Sequence, residues 1–340
     1  MKQAVIIVSL LLMVITGVCA GWFWHDMQTQ LNTPLKLDAP MYFTITPGTG
    51  LKTVGHELKN LGLMNQPYYL LLEARRQDKE GKVKAGEYEI NPGTTPLQLL
   101  DQFVAGKVKQ HVLTLVEGWS FAQVLAAIQN NQILQQSPGQ ADGKNIMFAL
   151  QSPDFSPEGQ FFPDTYHFPM GTTDIQFLQR AYDKMQQVLA EEWEQRSENL
   201  PYQSPYEALI TASLIEKETA LPEERGDIAG VFVRRLQRGM KLQTDPTVIY
   251  AMGDQYDGKL LRKDLGIDSP YNTYVYAGLP PTPIALTGRE SLHAALHPKE
   301  GDSLYFVAKG DGSHYFSATL DEHNNAVARF ILGKQNNEKE

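Results

Sequence analysis

The chain opens on an unbroken apolar stretch. Residues 4–24 carry no charged side chain, and at ~1.5 Å per helical residue such a run crosses a hydrocarbon core of ~30 Å. Trp22, Phe23 and Trp24 close it, where amphipathic rings favour the headgroup layer. Lys2 on the short side predicts residues 1–3 in the cytoplasm and the rest of the chain outside it. Val18-Cys19-Ala20 offers small residues of the kind cut after a signal peptide, and Cys19 could carry a lipid. The apolar run continues past that point, which favours an uncleaved transmembrane anchor over residues 4–24. Residues 25–39 are polar and read as a spacer.

The period then changes. Residues 41–46 alternate like a strand, and Pro47-Gly48-Thr49-Gly50 makes a turn. Leu51, Val54, Leu58 and Leu61 recur at helical spacing, and residues 68–74 form a second apolar helix. Residues 85–90 read as another strand and 96–105 as another helix. Ile90-Asn91-Pro92-Gly93-Thr94 echoes Ile45-Thr46-Pro47-Gly48-Thr49; strand-to-helix turn chemistry explains the echo without a repeat. A boundary near Gly106 leaves a small βααβ subdomain over 40–106. A new strand–turn–helix starts around Leu113-Thr114-Leu115-Val116-Glu117-Gly118-Trp119 and opens a larger domain over 107–332. A polar tail follows at 333–340. The expected class is α+β.

Composition narrows the function. The chain has 340 residues, 42% of them hydrophobic, with 14 Phe, 15 Tyr and 4 Trp, enough to offset chain entropy and exclude general disorder. A net charge of −9 disfavours nucleic-acid binding, which needs a basic face. A single cysteine, Cys19, excludes an intrachain disulfide framework and a cysteine-rich zinc site.

Four constellations could carry chemistry. His293 and His297 stand at i and i+4, a spacing that suits zinc, but Ala294 occupies the place of the metalloprotease Glu. His314 or His323 could be a third ligand; a plain surface helix ended by Pro298 is the favoured reading, with no metal expected. Gly301-Asp302-Ser303-Leu304 looks like an esterase motif, but its Ser precedes a strand instead of following one, so it reads as a turn. The third is a helix beginning at Ser204-Pro205-Tyr206-Glu207, a capping box. Its residues 208–215 are apolar or small on every side, the mark of a buried helix. It ends in Glu216-Lys217-Glu218. Glu216 and Glu218 point ~160° apart, so only one carboxylate can face a given cleft. Burial and the negative end of the helix dipole would keep either one protonated, as a general acid requires. Solvation of all three charges at an emerging helix end is the competing reading, and both stay open. The fourth is a polar, aromatic stretch: residues 240–250, with 269–274 and 278–283. Asn, Gln, Asp and Thr beside Tyr suit a carbohydrate cleft, although Pro, Asn and Asp also build ordinary loops.

Several blocks carry a family resemblance. Glu158-Gly159-Gln160-Phe161-Phe162-Pro163-Asp164-Thr165-Tyr166, Ala212-Ser213-Leu214-Ile215-Glu216-Lys217-Glu218 and Leu242-Gln243-Thr244-Asp245-Pro246-Thr247-Val248 resemble those of the YceG-like endolytic murein transglycosylases. So do residues 269–274, 278–281, His314-Tyr315-Phe316-Ser317 and Glu322-His323-Asn324. The segment 282–288 departs from the family pattern. The order of 40–106, with its Thr-Pro-Gly-Thr turn, is also similar to a LysM-type sugar-binding module.

The resemblance implies a lyase of the bacterial inner membrane, single-pass, with its catalytic domain periplasmic. Such an enzyme cuts nascent peptidoglycan strands between N-acetylmuramic acid and N-acetylglucosamine, leaves 1,6-anhydro ends and ends strand elongation. It implies Glu218 as the catalytic residue and Gln243, Asp245, Tyr271, Asn272 and Tyr274 as substrate-binding residues. No cofactor and no metal is expected. The implied partners are glycan strands, the membrane and peptidoglycan synthases (penicillin-binding proteins), and no nucleic acid. A hydrolytic muramidase, with Asp245 or Glu158 as second carboxylate, and a non-catalytic glycan-binding scaffold are the alternatives.

Overall fold

A computed structural model describes residues 2–137 and 142–333; of the expected tail at 333–340, all but Gly333 lies outside the described residues. Helix and strand are mixed in an α+β arrangement. The chain divides into two units, Met1–His111 with His167–Gly171, and Val112–Tyr166 with Thr172–Glu340.

The first unit begins with helix α1 (Lys2–Asn32), long and apolar enough to cross a membrane, with none of its most apolar window buried. The helix does not stop at Trp24. It continues through most of the expected spacer, because Met27 and Leu31 lie one turn apart and are buried with Leu35 in the unit's core. That spacing is helical, and the surrounding polar residues obscure it.

Strands β1 (Met41–Ile45) and β2 (Gly86–Ile90) pair antiparallel, with Met41 opposite Ile90 and Phe43 opposite Tyr88. Between them lie α2 (Leu51–Asn60) and α3 (Pro67–Arg76), and after them α4 (Pro96–Ala105), giving the expected strand–helix–helix–strand order. Inward residues of period two (Phe43, Ile45, Tyr88, Ile90) meet Val54, Leu58, Leu70, Leu99 and Phe103 in one core. The two similar turns are built alike: Gly48 and Gly93 have φ of 84° and 90°, a region open to glycine at little cost. Thr95 and Gln98 form a capping box for α4, and Gly106 ends it at φ 69°.

Strands β3 (Gln110–Thr114) and β4 (Thr165–Pro169) form a second two-stranded sheet. The second unit contains α5 (Phe121–Gln129), α6 (Gly143–Ala149), α7 (Asp174–Glu194), α8 (Pro205–Glu218), α9 (Arg225–Gln237), α10 (Asp245–Met252), α11 (Arg289–Leu296), the antiparallel pair β5 (Tyr305–Ala308) and β6 (His314–Ser317), and α12 (Leu320–Val327). Its centre is α8, which packs on α7, α9, α10 and α11. Residues 208–215 of α8 are all buried, as their apolar or small character requires. Ser213, caught in that interior, donates to Ile210 O at 2.7 Å and accepts from Ile284 N at 3.0 Å, so its hydroxyl is satisfied. The cap at its start differs in one arm from the expected box. Ser204 Oγ accepts from Glu207 N at 3.4 Å, but Glu207 accepts from Gln203 N at 2.6 Å instead of from Ser204 N.

Candidate active site

An open cleft of about 570 Å³ lies at the C-terminal end of α8, bordered by residues 116–119, Gln123, residues 216–220 and Arg225. The helix stops there because Thr219 turns extended. The last turn therefore delivers both glutamates to one cleft margin, and their carboxylates engage different elements, as their angular separation requires. Glu216 Oε2 accepts from Gly288 N at 3.1 Å. Gly288 is the N-cap of α11, and Glu216 takes the N-cap's own N–H, the role that the third helical residue plays in a capping box. Lys217 donates to Gly118 O at 3.1 Å.

Glu218 is half-buried, and Thr244 donates a short hydrogen bond to its Oε2. Burial raises its pKa, opposed by the Thr244 bond and reinforced by the nearby charge of Asp245. Thr244 is the N-cap of α10 but makes no side-chain cap to that helix. Its hydroxyl is committed to Glu218 instead, a local rule broken at a candidate functional position. Behind it, Thr244 N donates to Thr273 Oγ1 at 3.1 Å, and Thr247 Oγ1 lies 2.9 Å from Thr273 Oγ1. All three threonines are buried, and the network fixes the hydroxyl that meets the carboxyl.

Asp245 opens α10 and is exposed, with Tyr274 OH donating to its Oδ1 at 2.6 Å. Burial first, and this bond second, push the Tyr274 hydroxyl's pKa up. Gln243 is exposed and sits at φ 51°, a region non-glycine residues enter only at a cost. Its N–H bonds Thr273 O at 3.2 Å. The segment before it is clamped by buried Arg235, which donates to Leu304 O, Lys241 O and Leu242 O at 2.6, 3.2 and 2.7 Å. Gln243 and Tyr274 border a second recess of about 340 Å³ together with Tyr305, His323 and Asn324.

Glu218, Asp245, Gln243 and Tyr274 thus gather around one network. The other two sequence candidates turn elsewhere. Tyr271 OH lies 2.9 Å from Thr282 Oγ1, and its ring meets that of Tyr250 at 4.8 Å. Asn272 is fully buried, with both amide hydrogens given to Leu265 O and Ile267 O at 3.1 and 2.8 Å and its oxygen accepting from Tyr274 N at 2.9 Å. This spends the side chain on holding the loop that presents Tyr274, which replaces sugar contact as its visible role. Glu158 is similarly engaged: it accepts from Phe121 N at 2.8 Å and Tyr250 OH at 2.9 Å, and burial raises its pKa.

The segment 282–288 is mostly buried. Leu286 exchanges hydrogen bonds with Gly118 and Trp119 at 2.8 and 2.7 Å, and Pro283 packs so tightly on Gly159 that a Cβ there would lie 2.4 Å away. Glu117, whose pKa is raised by burial and by the charge of Glu216, borders the cleft beside Gly288 and had no motif to single it out. Thr244 had one, in Thr-Asp-Pro at a helix start, but that pattern reads as an ordinary cap. His314 pairs with Glu224 through its backbone N–H and Nδ1, at 2.8 and 2.7 Å, and His323 stacks on Tyr305. Neither joins His293 and His297; the side chain that does is Glu192.

A family model described as the YceG-like family matches residues 43–329. The chain is 36% identical over 280 residues to the endolytic murein transglycosylase of Bacillus subtilis (strain 168), covering 75% of each. It is 26% identical to that of Streptococcus pneumoniae serotype 2, covering 97% of this chain and 66% of the relative's length. The crystal structure of a yceG-like protein of Listeria monocytogenes superposes with a TM-score of 0.54 at 30% identity, over 85% of this chain and 99% of the other.

Proposed function

Because this chain belongs to the YceG-like family, we propose that it is an endolytic murein transglycosylase, cutting peptidoglycan strands internally and without water. The observation that carries the reading is the half-buried carboxyl of Glu218, held by Thr244 at a cleft margin, with a pKa raised by its burial. In the proposed reaction, Glu218 donates its proton to the bridging oxygen as the bond from muramic C1 to that oxygen breaks. N-acetylglucosamine leaves with a free 4-hydroxyl. The muramic C6 oxygen then bonds to C1 and gives its proton to Glu218, which closes the 1,6-anhydro ring and restores the acid. Attack from within the sugar dispenses with the water-activating second carboxylate of an inverting glycosidase.

Gln243, Asp245 and Tyr274 bind the sugars beside Glu218; Tyr271 adds an aromatic face further along, and Asn272 positions the loop. Residues 40–106 act as a LysM-like glycan-binding subdomain, and 107–332 carry the catalysis. Helix α1 anchors the protein in the inner membrane through residues 4–24, with the chain that follows in the periplasm, where peptidoglycan synthases supply the nascent strand. The charge of Asp245 near Glu218 is the feature that favours a second reading, a hydrolytic muramidase. Mass spectrometry of digested glycan strands separates the two: 1,6-anhydro-muramic ends support the lyase, reducing ends the hydrolase, and uncut strands refute both.

A further inference from the structure

Away from the residues assigned to catalysis, α7 and α11 bring three metal-ligating side chains together. Glu192 comes from the last turn of α7, His293 from α11 and His297 from its C-cap, and one ligand atom from each lies within 4.8 Å of the others. His293 Nδ1 is 2.9 Å from Glu192 Oε2. The imidazole rings face each other with centroids 4.2 Å apart and planes 32° from parallel. Arg289 donates to Glu192 Oε1 at 2.8 Å and to Glu191 at 2.5 Å, which orients Glu192 and leaves Oε2 toward the histidines, as an outer-shell partner does.

The second observation is an orphan. His297 Nε2 is buried and has no hydrogen-bond partner, while Nδ1 lies 3.4 Å from Ser197 Oγ. A buried polar atom without a partner is costly, and a cation would supply one. The group opens on a cleft of about 490 Å³, also bordered by Pro222, Arg225, Gly226 and Glu290, with room for water to complete a coordination shell.

We infer that Glu192, His293 and His297 form a binding site for a divalent transition-metal cation of the zinc class, with three protein ligands and a remaining position open to water. Two imidazoles and a carboxylate are the borderline nitrogen and oxygen donors such an ion takes. Bond lengths of about 2.0–2.2 Å set tetrahedral donors about 3.4 Å apart, so from a spread of 4.8 Å the widest pair closes by up to about 1.4 Å. Exposed His293 has the freedom to do this. The bound ion ties the end of α7 to α11, elements that sequence separates by about a hundred residues, and its role is that of a brace. The ion takes no part in the glycan reaction, and the inference stands whether or not the proposed function does.

The test uses the untagged full chain in detergent, stripped with a chelator and titrated with Co²⁺. The expected result is one equivalent bound, with the visible absorption of a four-coordinate nitrogen–oxygen site, displaced by Zn²⁺. Zn²⁺ should also raise the melting temperature, and the chelator should reverse it. His293→Ala, at an exposed position that leaves the fold intact, should weaken binding at least tenfold and abolish the thermal effect, with glycan cleavage unchanged. His297→Ala should remove the spectrum altogether. No saturable binding, saturation only at large molar excess, or equal binding by His293→Ala would overturn the site.

Discussion

Replacing Glu216 separates the two carboxylates at the end of α8 by what each one supports. Glu216 accepts from the N-cap amide of α11, Gly288, as the third helical residue does in a capping box. A hydrogen bond to a backbone amide contributes about 0.5–1.5 kcal/mol, and a negative charge at a helix N-terminus about 0.3–1 kcal/mol. Glu216→Gln keeps an acceptor and loses the charge, so it should cost about 0.3–1 kcal/mol. Relief of Glu117, whose carboxyl Glu216 disfavours in its ionised form, offsets part of this. Glu216→Ala loses bond and charge together, about 1–2.5 kcal/mol, which for a unit of this size lowers the melting temperature by roughly 2–10 °C. Neither change removes the proton that the proposed reaction moves. Thermal melting of the detergent-solubilised chain, alongside anhydro-product formation below the melting transition, is the assay. A hundredfold activity loss with unchanged melting in Glu216→Gln would refute the division of roles.

The other predictions concern the surroundings of Glu218. As a general acid it works only while protonated, so activity is present below its raised folded-state pKa and lost as pH rises through it. Thr244→Val removes a bond that favours the ionised form and Asp245→Asn a charge that disfavours it, so the alkaline limb of the kcat/KM profile should move up in the first and down in the second; shifts of the same sign contradict this. Asn272→Leu leaves two part-buried carbonyls and an amide without their partner and should destabilise by about 1–3 kcal/mol in denaturant unfolding, with unaltered stability counting against its role as a loop brace. Gln243→Gly suits the backbone at φ 51°, so stability should stay within about 1 kcal/mol while KM for glycan strands rises; an unchanged KM would remove Gln243 from the cleft.

What could be read from the residues in advance was local. The strands and helices of the first unit followed from alternation, helical spacing and Pro-Gly turns, because their cores are built from neighbours in sequence. Helix α8 was legible from its cap and its uniformly apolar run. Its glutamates could be separated by angle but not assigned partners, since Gly288 and Thr244 arrive from segments some 70 and 26 residues away. Long-range meetings account for the rest. Asn272 carries the polar amide expected of a sugar-binding residue, yet loop carbonyls two elements away from α8 consume it. Glu192 has no motif value until the fold sets it beside His293 and His297. Helix α1 outran its apolar run because Met27 and Leu31 pack on a core that hydropathy alone does not reveal.

The central claim is that one carboxyl performs both proton steps, and Glu218→Gln tests it most directly. Gln is nearly isosteric, so it preserves the packing of α8 and still meets the Thr244 hydroxyl, but it can neither give nor take back a proton. Removing an ionisable group whose folded pKa is raised also removes a penalty that grows as pH rises from the ordinary carboxyl value through the folded one, so the variant should melt no lower than the parent at neutral pH. Anhydro-product formation, measured by mass spectrometry on purified glycan strands, should fall by roughly 100- to 10,000-fold or more. A folded Glu218→Gln protein that still releases anhydro ends at the parent's rate would contradict the account.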